Sequence, residues 1–350
     1  MRPVAGYAAL HPAAPLTRWD FERRDLTGTD IAVKVSYVGV CHSDLDALRP
    51  GDRSPDTNFP LVAGHEFVGR ATAVGDRVSK FEVGDAVAVG NIIDSCLECG
   101  PCLSGKEHFC DHYPTLTYGG VDRFGRRTQG AYATEYVVDE KFAYSLPPNL
   151  DPAGVAPLMC AGITTYSPLR RWKVGAGSVV GVVGVGGLGH LAVKLARAMG
   201  ASVVGFTVNE EKAQKAMALG VDEVVIVTDD AAMNAQFRRF DFILDTVPVV
   251  HDIDSYLRAL KIESALCSVG IVDQLRFDPI NLIVGGKSIG GAGSGGTVET
   301  KEMLDFCSAH QIISEVEVLP IDAVNTALDR LSRAAVDYRL VLDVSMLGSN

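Results

Sequence analysis

At 350 residues, with 47% hydrophobic and 21% charged side chains, the sequence describes a soluble globular chain too long for one ordinary core, so two domains are expected. A formal net charge of −11 and the lack of any Lys/Arg-rich run argue against nucleic acid as the main partner. No apolar run approaches the ~18 residues of a membrane span, and Val4 to Leu10 is too short and too soon interrupted by His11 and Pro12 for a secretory signal. A cytoplasmic protein is therefore expected, whose eight cysteines are not engaged in disulfides.

In chain order, residues 1 to about 150 are rich in Val, Gly and Pro, with short alternating runs at Ile31 to Tyr37, Val68 to Val74, Ala86 to Val89 and Tyr132 to Val138. This predicts a mainly β domain with long loops. From Val155 to about Gly293 strands and helices alternate, with strands at Val179 to Val183, Ser202 to Phe206, Glu223 to Val227, Phe242 to Val247, Ala265 to Val269 and Ser288 to Gly291. That texture is α/β and predicts a doubly wound parallel sheet. The tail returns to the first style, with helices at Lys301 to His310 and Ile321 to Ala334 and a last strand at Arg339 to Val344.

The stretch Ser178 to Gly200 reads as strand, tight turn and helix. Gly184, Gly186, Gly187, Leu188 and Gly189 form a G-x-G-x-x-G turn. Gly184 admits a backbone conformation closed to side chains, Gly186 lets a pyrophosphate approach, and Gly189 lets helix and strand pack closely. The helix N-terminus then offers free N–H groups to phosphates, so dinucleotide binding is expected.

Cys96, Cys99, Cys102 and Cys110 form C-x2-C-x2-C-x7-C in a loop punctuated by Gly100, Pro101 and Gly105. Four thiolates converging within so short a loop suit tetrahedral zinc with every position filled, and hence a structural site. An iron–sulfur cluster and a redox disulfide set are the rival readings. Cys41 and His65, each alone more often a buried core residue, can combine with Cys160 into two thiolates and one imidazole. Such a set leaves a fourth position on zinc for water or substrate.

The motifs GVCHSD (39 to 44), GHE (64 to 66), the four-cysteine loop, TQGAYA (128 to 133), APLMCAGITTYSPL (156 to 169), GVGGLGH (184 to 190) and ETKEMLDFC (299 to 307) occur jointly and in this order. Over essentially its whole length the chain thereby resembles the zinc-dependent medium-chain alcohol dehydrogenases, most closely the cinnamyl alcohol dehydrogenase branch. The resemblance implies a mainly β GroES-like catalytic domain (1–159 and 294–350) and a Rossmann cofactor domain (160–293). It implies that Cys41, His65 and Cys160 hold a catalytic zinc, that Glu66 exchanges with water on the metal, and that Asp44 orients His65. It also implies that Arg339 reaches the cofactor pyrophosphate and Glu66, and that Ser43 passes a proton to the reacting oxygen. Where the family has a relay histidine this chain has Asp46, whose reference pKa is roughly 4 rather than 6.5, which puts the outward relay in question.

At the end of the second cofactor-domain strand, where an acid would bind a ribose 2′-OH, the chain has Thr207, followed by Asn209 and Lys212. These can donate to a 2′-phosphate, so NADP(H) is expected, with Glu210 and Glu211 as the counter-signal. Thr115 and Gly293 stand where the branch carries bulky aromatics, which implies a wider substrate pocket; Asn91, Phe59 and Leu61 are further wall candidates, the last two equally readable as packing. Cys267 and Cys307 read as core thiols, and His190 as a capping or packing residue. The expected reaction is hydride transfer between NADP(H) and an aldehyde/primary alcohol pair. The alternatives are reduction of a conjugated C=C or C=N bond, and a zinc- and cofactor-bound scaffold without turnover. A homodimer pairing along strand 287–291 is expected from the resemblance.

Overall fold

The computed structural model describes residues 1–49 and 58–347, which form two compact units, Met1–Cys160 with Gly295–Asn350, and Ala161–Ser294. In the first unit a seven-stranded sheet runs in the order Val316–Pro320, Arg339–Asp343, Asp30–Val40, Phe67–Val74, Ala86–Val89 and Ala143–Ser145, with Glu135–Asp139 also pairing to Asp30–Val40. Asp30–Val40 is the centre of this sheet and is buried along most of its length, with Lys34 exposed and Ser36 and Tyr37 half-buried. Its neighbours share one core with Phe67, Tyr132, Tyr136 and Phe142, all at most 1% exposed. Each such side chain contributes roughly 1.5–3 kcal/mol by leaving water.

The predicted strand Tyr132 to Val138 begins only at Glu135. Ahead of it, the amides of Ala131 and Tyr132 donate to the carbonyls of Gly64 and Ala63, and Tyr7 N–H donates to Tyr132 O. Those bonds divert the chain from the ladder and bring residue 132 under the GHE segment. The pairing of Val316–Pro320 with the predicted tail strand was not legible in the sequence. An N-terminal antiparallel pair, Arg2–Ala8 with Thr17–Arg23, is also additional to the sequence reading.

In the second unit six parallel strands lie in the order Glu223–Ile226, Ser202–Thr207, Val179–Val183, Phe240–Asp245, Leu260–Ser268 and Ser288–Gly291. Numbered along the chain this is 3-2-1-4-5-6, the doubly wound order expected, with the glycine turn at the carboxyl end of the first strand beside the point where the order reverses. No helix among the described residues is long and apolar enough to cross a membrane.

Candidate active site

The central strand Asp30–Val40 delivers Cys41, which caps the helix His42–Leu48. Asp44 closes a capping box there by accepting the Cys41 amide at 2.9 Å. The next strand, Phe67–Val74, runs antiparallel with Phe67 opposite Val38, so His65 and Glu66 arrive at the same end of the sheet as Cys41. Cys160 reaches it after the 3-10 turn Ala156–Met159. Donor atoms of Cys41, His65, Glu66 and Cys160 all lie within 4.8 Å of one another.

Asp44 is fully buried and organises this cluster. It accepts from the amides of Cys41 and Gly64, from the Tyr132 hydroxyl at 3.0 Å, and from His65 Nδ1 at 3.1 Å. A carboxylate only accepts, so the Nδ1 proton belongs to that bond and Nε2 is the ring nitrogen left facing the sulfurs, 3.2 Å from Cys160 Sγ. The Tyr118 hydroxyl, 3.3 Å from Nδ1, flanks the same ring. The Cys41 and Cys160 sulfurs stand 4.0 Å apart, and sharing a proton with Cys160 holds the Cys41 thiol well below its ordinary range.

Glu66 is completely buried and its Oε1 is paired with Arg339 Nη2, while Oε2 has no hydrogen-bond partner. Burial, reinforced by the neighbouring Cys41 sulfur and opposed by Arg339, pushes its carboxyl up to about 7. The sequence requires this arrangement locally, since a Cβ on Gly39 would overlap the Glu66 carboxylate. Two thiols, an imidazole lone pair and an orphaned buried carboxylate oxygen form a donor set of the kind zinc takes, and one that does not close a four-protein-ligand thiolate shell. Ser43 Oγ sits 3.8 Å from Cys41 Sγ, and Asp46 lies exposed one turn further along the same helix. Leu61 is buried and Phe59 half-buried against the core of this unit. The sequence reading did not assign roles to Tyr118 and Tyr132; of the two, only Tyr132 lay in a quoted motif.

The second cluster is built differently. The four sulfurs of Cys96, Cys99, Cys102 and Cys110 lie within 4.8 Å of one another. Leu97 takes φ +62°, which turns the following backbone so that the Cys99 amide donates to Cys96 Sγ at 3.4 Å. Amide donation from Glu98 and Cys99 pulls the Cys96 thiol down to about 7, whereas burial pushes Cys102 up to about 12.

In the second unit Gly184 has φ +80°, and a Cβ at Gly189 would strike the Gly184 carbonyl, so the turn needs glycine at both places. A Cβ at Gly186 would meet nothing within 4 Å, leaving that position open to approach, and Gly187 and Leu188 beside it are half-buried. His190 is buried with Nδ1 3.0 Å from Gly186 O, a packing role. Thr207 closes the second strand, and Asn209 caps the helix Glu210–Ala218 through Oδ1, accepting from the Lys212 amide at 3.0 Å. Lys212 is exposed, and Glu211 is engaged by Lys215 at 3.1 Å. Cys267 and Cys307 are fully buried.

The alcohol dehydrogenase GroES-like domain family matches residues 27–148, and the zinc-binding dehydrogenase family matches residues 187–309. The chain is 44% identical over 348 residues to an aldehyde reductase, YahK, of Escherichia coli, covering 98% of each chain. In structure it is similar to a cinnamyl alcohol dehydrogenase of Sorghum bicolor, with TM-score 0.94, 37% identity and 98% of each chain covered. It is also similar to the Helicobacter pylori CAD solved with NADP(H), with TM-score 0.90, 36% identity and the same coverage. The chain belongs to the zinc-dependent medium-chain alcohol dehydrogenases, on their cinnamyl alcohol dehydrogenase-like branch.

Proposed function

We propose that the protein is a zinc- and NADP(H)-dependent aldehyde reductase that also runs in the alcohol-oxidising direction. The observation that carries this reading is the open donor set of Cys41, His65, Glu66 and Cys160, buried and held by Asp44. When bound, zinc there supplies Lewis acidity to a carbonyl oxygen and the nicotinamide supplies hydride to its carbon. Cys41, His65 and Cys160 are the ligands, and Glu66 Oε2 is the spare carboxylate oxygen. Ser43 donates its hydroxyl proton to the reacting oxygen as the C–H bond forms, and Asp46 passes the replacement proton from solvent. Cys96, Cys99, Cys102 and Cys110 hold a structural zinc.

The turn Gly184, Gly186, Gly187, Leu188 and Gly189 receives the pyrophosphate. Thr207, Asn209 and Lys212 hold the 2′-phosphate. The Asn209 amide nitrogen supports this role, since only Oδ1 is spent on the helix cap. Reduction of conjugated C=C or C=N bonds is not favoured, because the relatives reported above are named for aldehyde and alcohol chemistry. A cytoplasmic homodimer, pairing at the edge strand Ser288–Gly291, completes the proposal.

The test is NADPH oxidation against a panel of aromatic, terpenoid and aliphatic aldehydes, with NADH in parallel and zinc counted on the same sample. Two zincs per chain and NADPH-dependent turnover are expected. Thr207→Asp is expected to lower kcat/KM for NADPH about a hundredfold by charge repulsion while sparing NADH. Absence of turnover on every aldehyde, with zinc and NADPH bound, would sink the reading.

A further inference from the structure

Among the described residues a third metal-capable set exists beside the two clusters above. Cys96, Glu98 and His112 bring a sulfur, a carboxylate oxygen and a ring nitrogen within 4.8 Å of one another. In tetrahedral zinc, ligand atoms stand roughly 3.3–3.8 Å apart, so small rotations of the two exposed side chains bring all three onto one ion. The set shares Cys96 with the four-cysteine cluster, and the sharing is directional. Cys102 and Cys110 are only 2% and 7% exposed, whereas Cys96 and Cys99 are half-buried and Glu98 and His112 are exposed. Solvent therefore meets the cluster on the face of Cys96 and Cys99, and it is Cys96 on that face that Glu98 and His112 join. The left-handed residues Leu97 (φ +62°) and Tyr113 (φ +61°) adjoin Glu98 and His112 at the two ends of this set.

We propose that Cys96, Glu98 and His112 form a loading station through which zinc passes into and out of the four-cysteine shell. Glu98 and His112 first hold the ion with Cys96. They then release it as Cys99, Cys102 and Cys110 replace them. In that exchange the bonds to the carboxylate oxygen, the ring nitrogen and the water that fills the fourth position break, three sulfur bonds form, and the water and the three thiol protons leave to solvent. Cys96 stays attached throughout, and no redox change occurs. A station of this kind lowers the barrier in both directions and leaves the final affinity unaltered.

The experiment uses the full-length chain depleted of metal, with Cys41→Ser and Cys160→Ser in every sample so that only the four-cysteine loop gives thiolate-to-cobalt charge-transfer absorption. Cobalt(II) uptake is followed by stopped flow, and zinc loss by transfer to excess chelator. In Glu98→Gln/His112→Gln both rates are expected to fall about tenfold, the effect of a barrier raised by roughly 1.4 kcal/mol, with equilibrium affinity unchanged. Glu98→Gln/His112→Asp, which restores a zinc ligand without adding a sulfur, is expected to recover the rate. Asp111→Asn, which removes a neighbouring exposed charge outside the set, is expected to leave it alone. Unchanged rates in the double variant would overturn the proposal. So would slower uptake matched by weaker affinity, which marks a support of the finished shell, or equal slowing in Asp111→Asn, which marks charge attraction alone.

Discussion

The two cysteine clusters of the catalytic unit solve opposite problems with similar atoms. The ligands proposed for the catalytic zinc come from positions 41, 65 and 160, at the ends of separate elements, and other groups hold them in place: Asp44 grips His65 and the Cys41 amide, Tyr132 grips Asp44, and Arg339 grips Glu66. The other cluster draws its four sulfurs from one loop and positions Cys96 largely by its own amides. A centre that must keep a coordination position for substrate cannot rely on the metal to hold its ligands, so the surrounding fold has to. A filled shell fixes its own loop, and the loop can be nearly irregular.

If that contrast holds, equivalent substitutions separate activity from stability. The largest effect belongs to Cys160→Ala, where turnover falls on the order of 10⁴-fold and one zinc is lost, with the unfolding midpoint little changed. Steady-state rates, metal counts and denaturant melts on one preparation check it, and retained turnover breaks the comparison. Cys102→Ser acts in reverse, removing the other zinc and roughly 4 kcal/mol or more of stability, read as a shifted urea midpoint. Asp44→Asn sharpens the contrast by weakening zinc binding at the open site about 10–100-fold while the four-cysteine site keeps its metal in a chelator competition.

The smallest effect probes how the filled loop is tied to the rest of its unit. Glu107 is buried and accepts from Thr297 N–H at 2.8 Å and Thr297 Oγ at 2.9 Å, with Lys141 Nζ 3.2 Å away. Burial opposes its ionisation, but these donors outweigh burial and hold its pKa below the ordinary 4.5. Its contribution is therefore complete above that value and is lost as pH falls towards and through the lower folded-state value. Glu107→Gln is expected to cost roughly 1 kcal/mol at neutral pH and to flatten the acid limb of the stability profile. An unchanged acid limb in the variant contradicts the assignment.

The thiols, the imidazole and the glycine turn were legible because their chemistry is unusual and their spacing local, or because their order along the chain matched a family. Doubly wound strands were legible from alternation with helices. What escaped depends on partners distant in sequence. Tyr132 looks like any apolar strand residue until its hydroxyl is seen on Asp44, 88 residues away. Leu61 and Phe59 were ambiguous between pocket wall and packing because composition cannot distinguish the two; in the fold both pack against the core of their unit. The helix predicted from Lys301 begins at Thr297, where Thr-Val-Glu-Thr has weak intrinsic preference and Thr300 instead secures the turn through Gly296 O.

The catalytic unit is closed by the strand Arg339–Asp343, laid against Asp30–Val40 after the whole cofactor unit has intervened in sequence. During synthesis the ribosome therefore exposes Cys41, His65 and Glu66 long before it can supply Arg339. Until then Glu66 lacks the guanidinium that balances its charge, and the sheet lacks two strands, while residues 161–294 are already available to fold as a unit. The cofactor-binding half is thus complete in sequence before the centre encoded earliest can be finished.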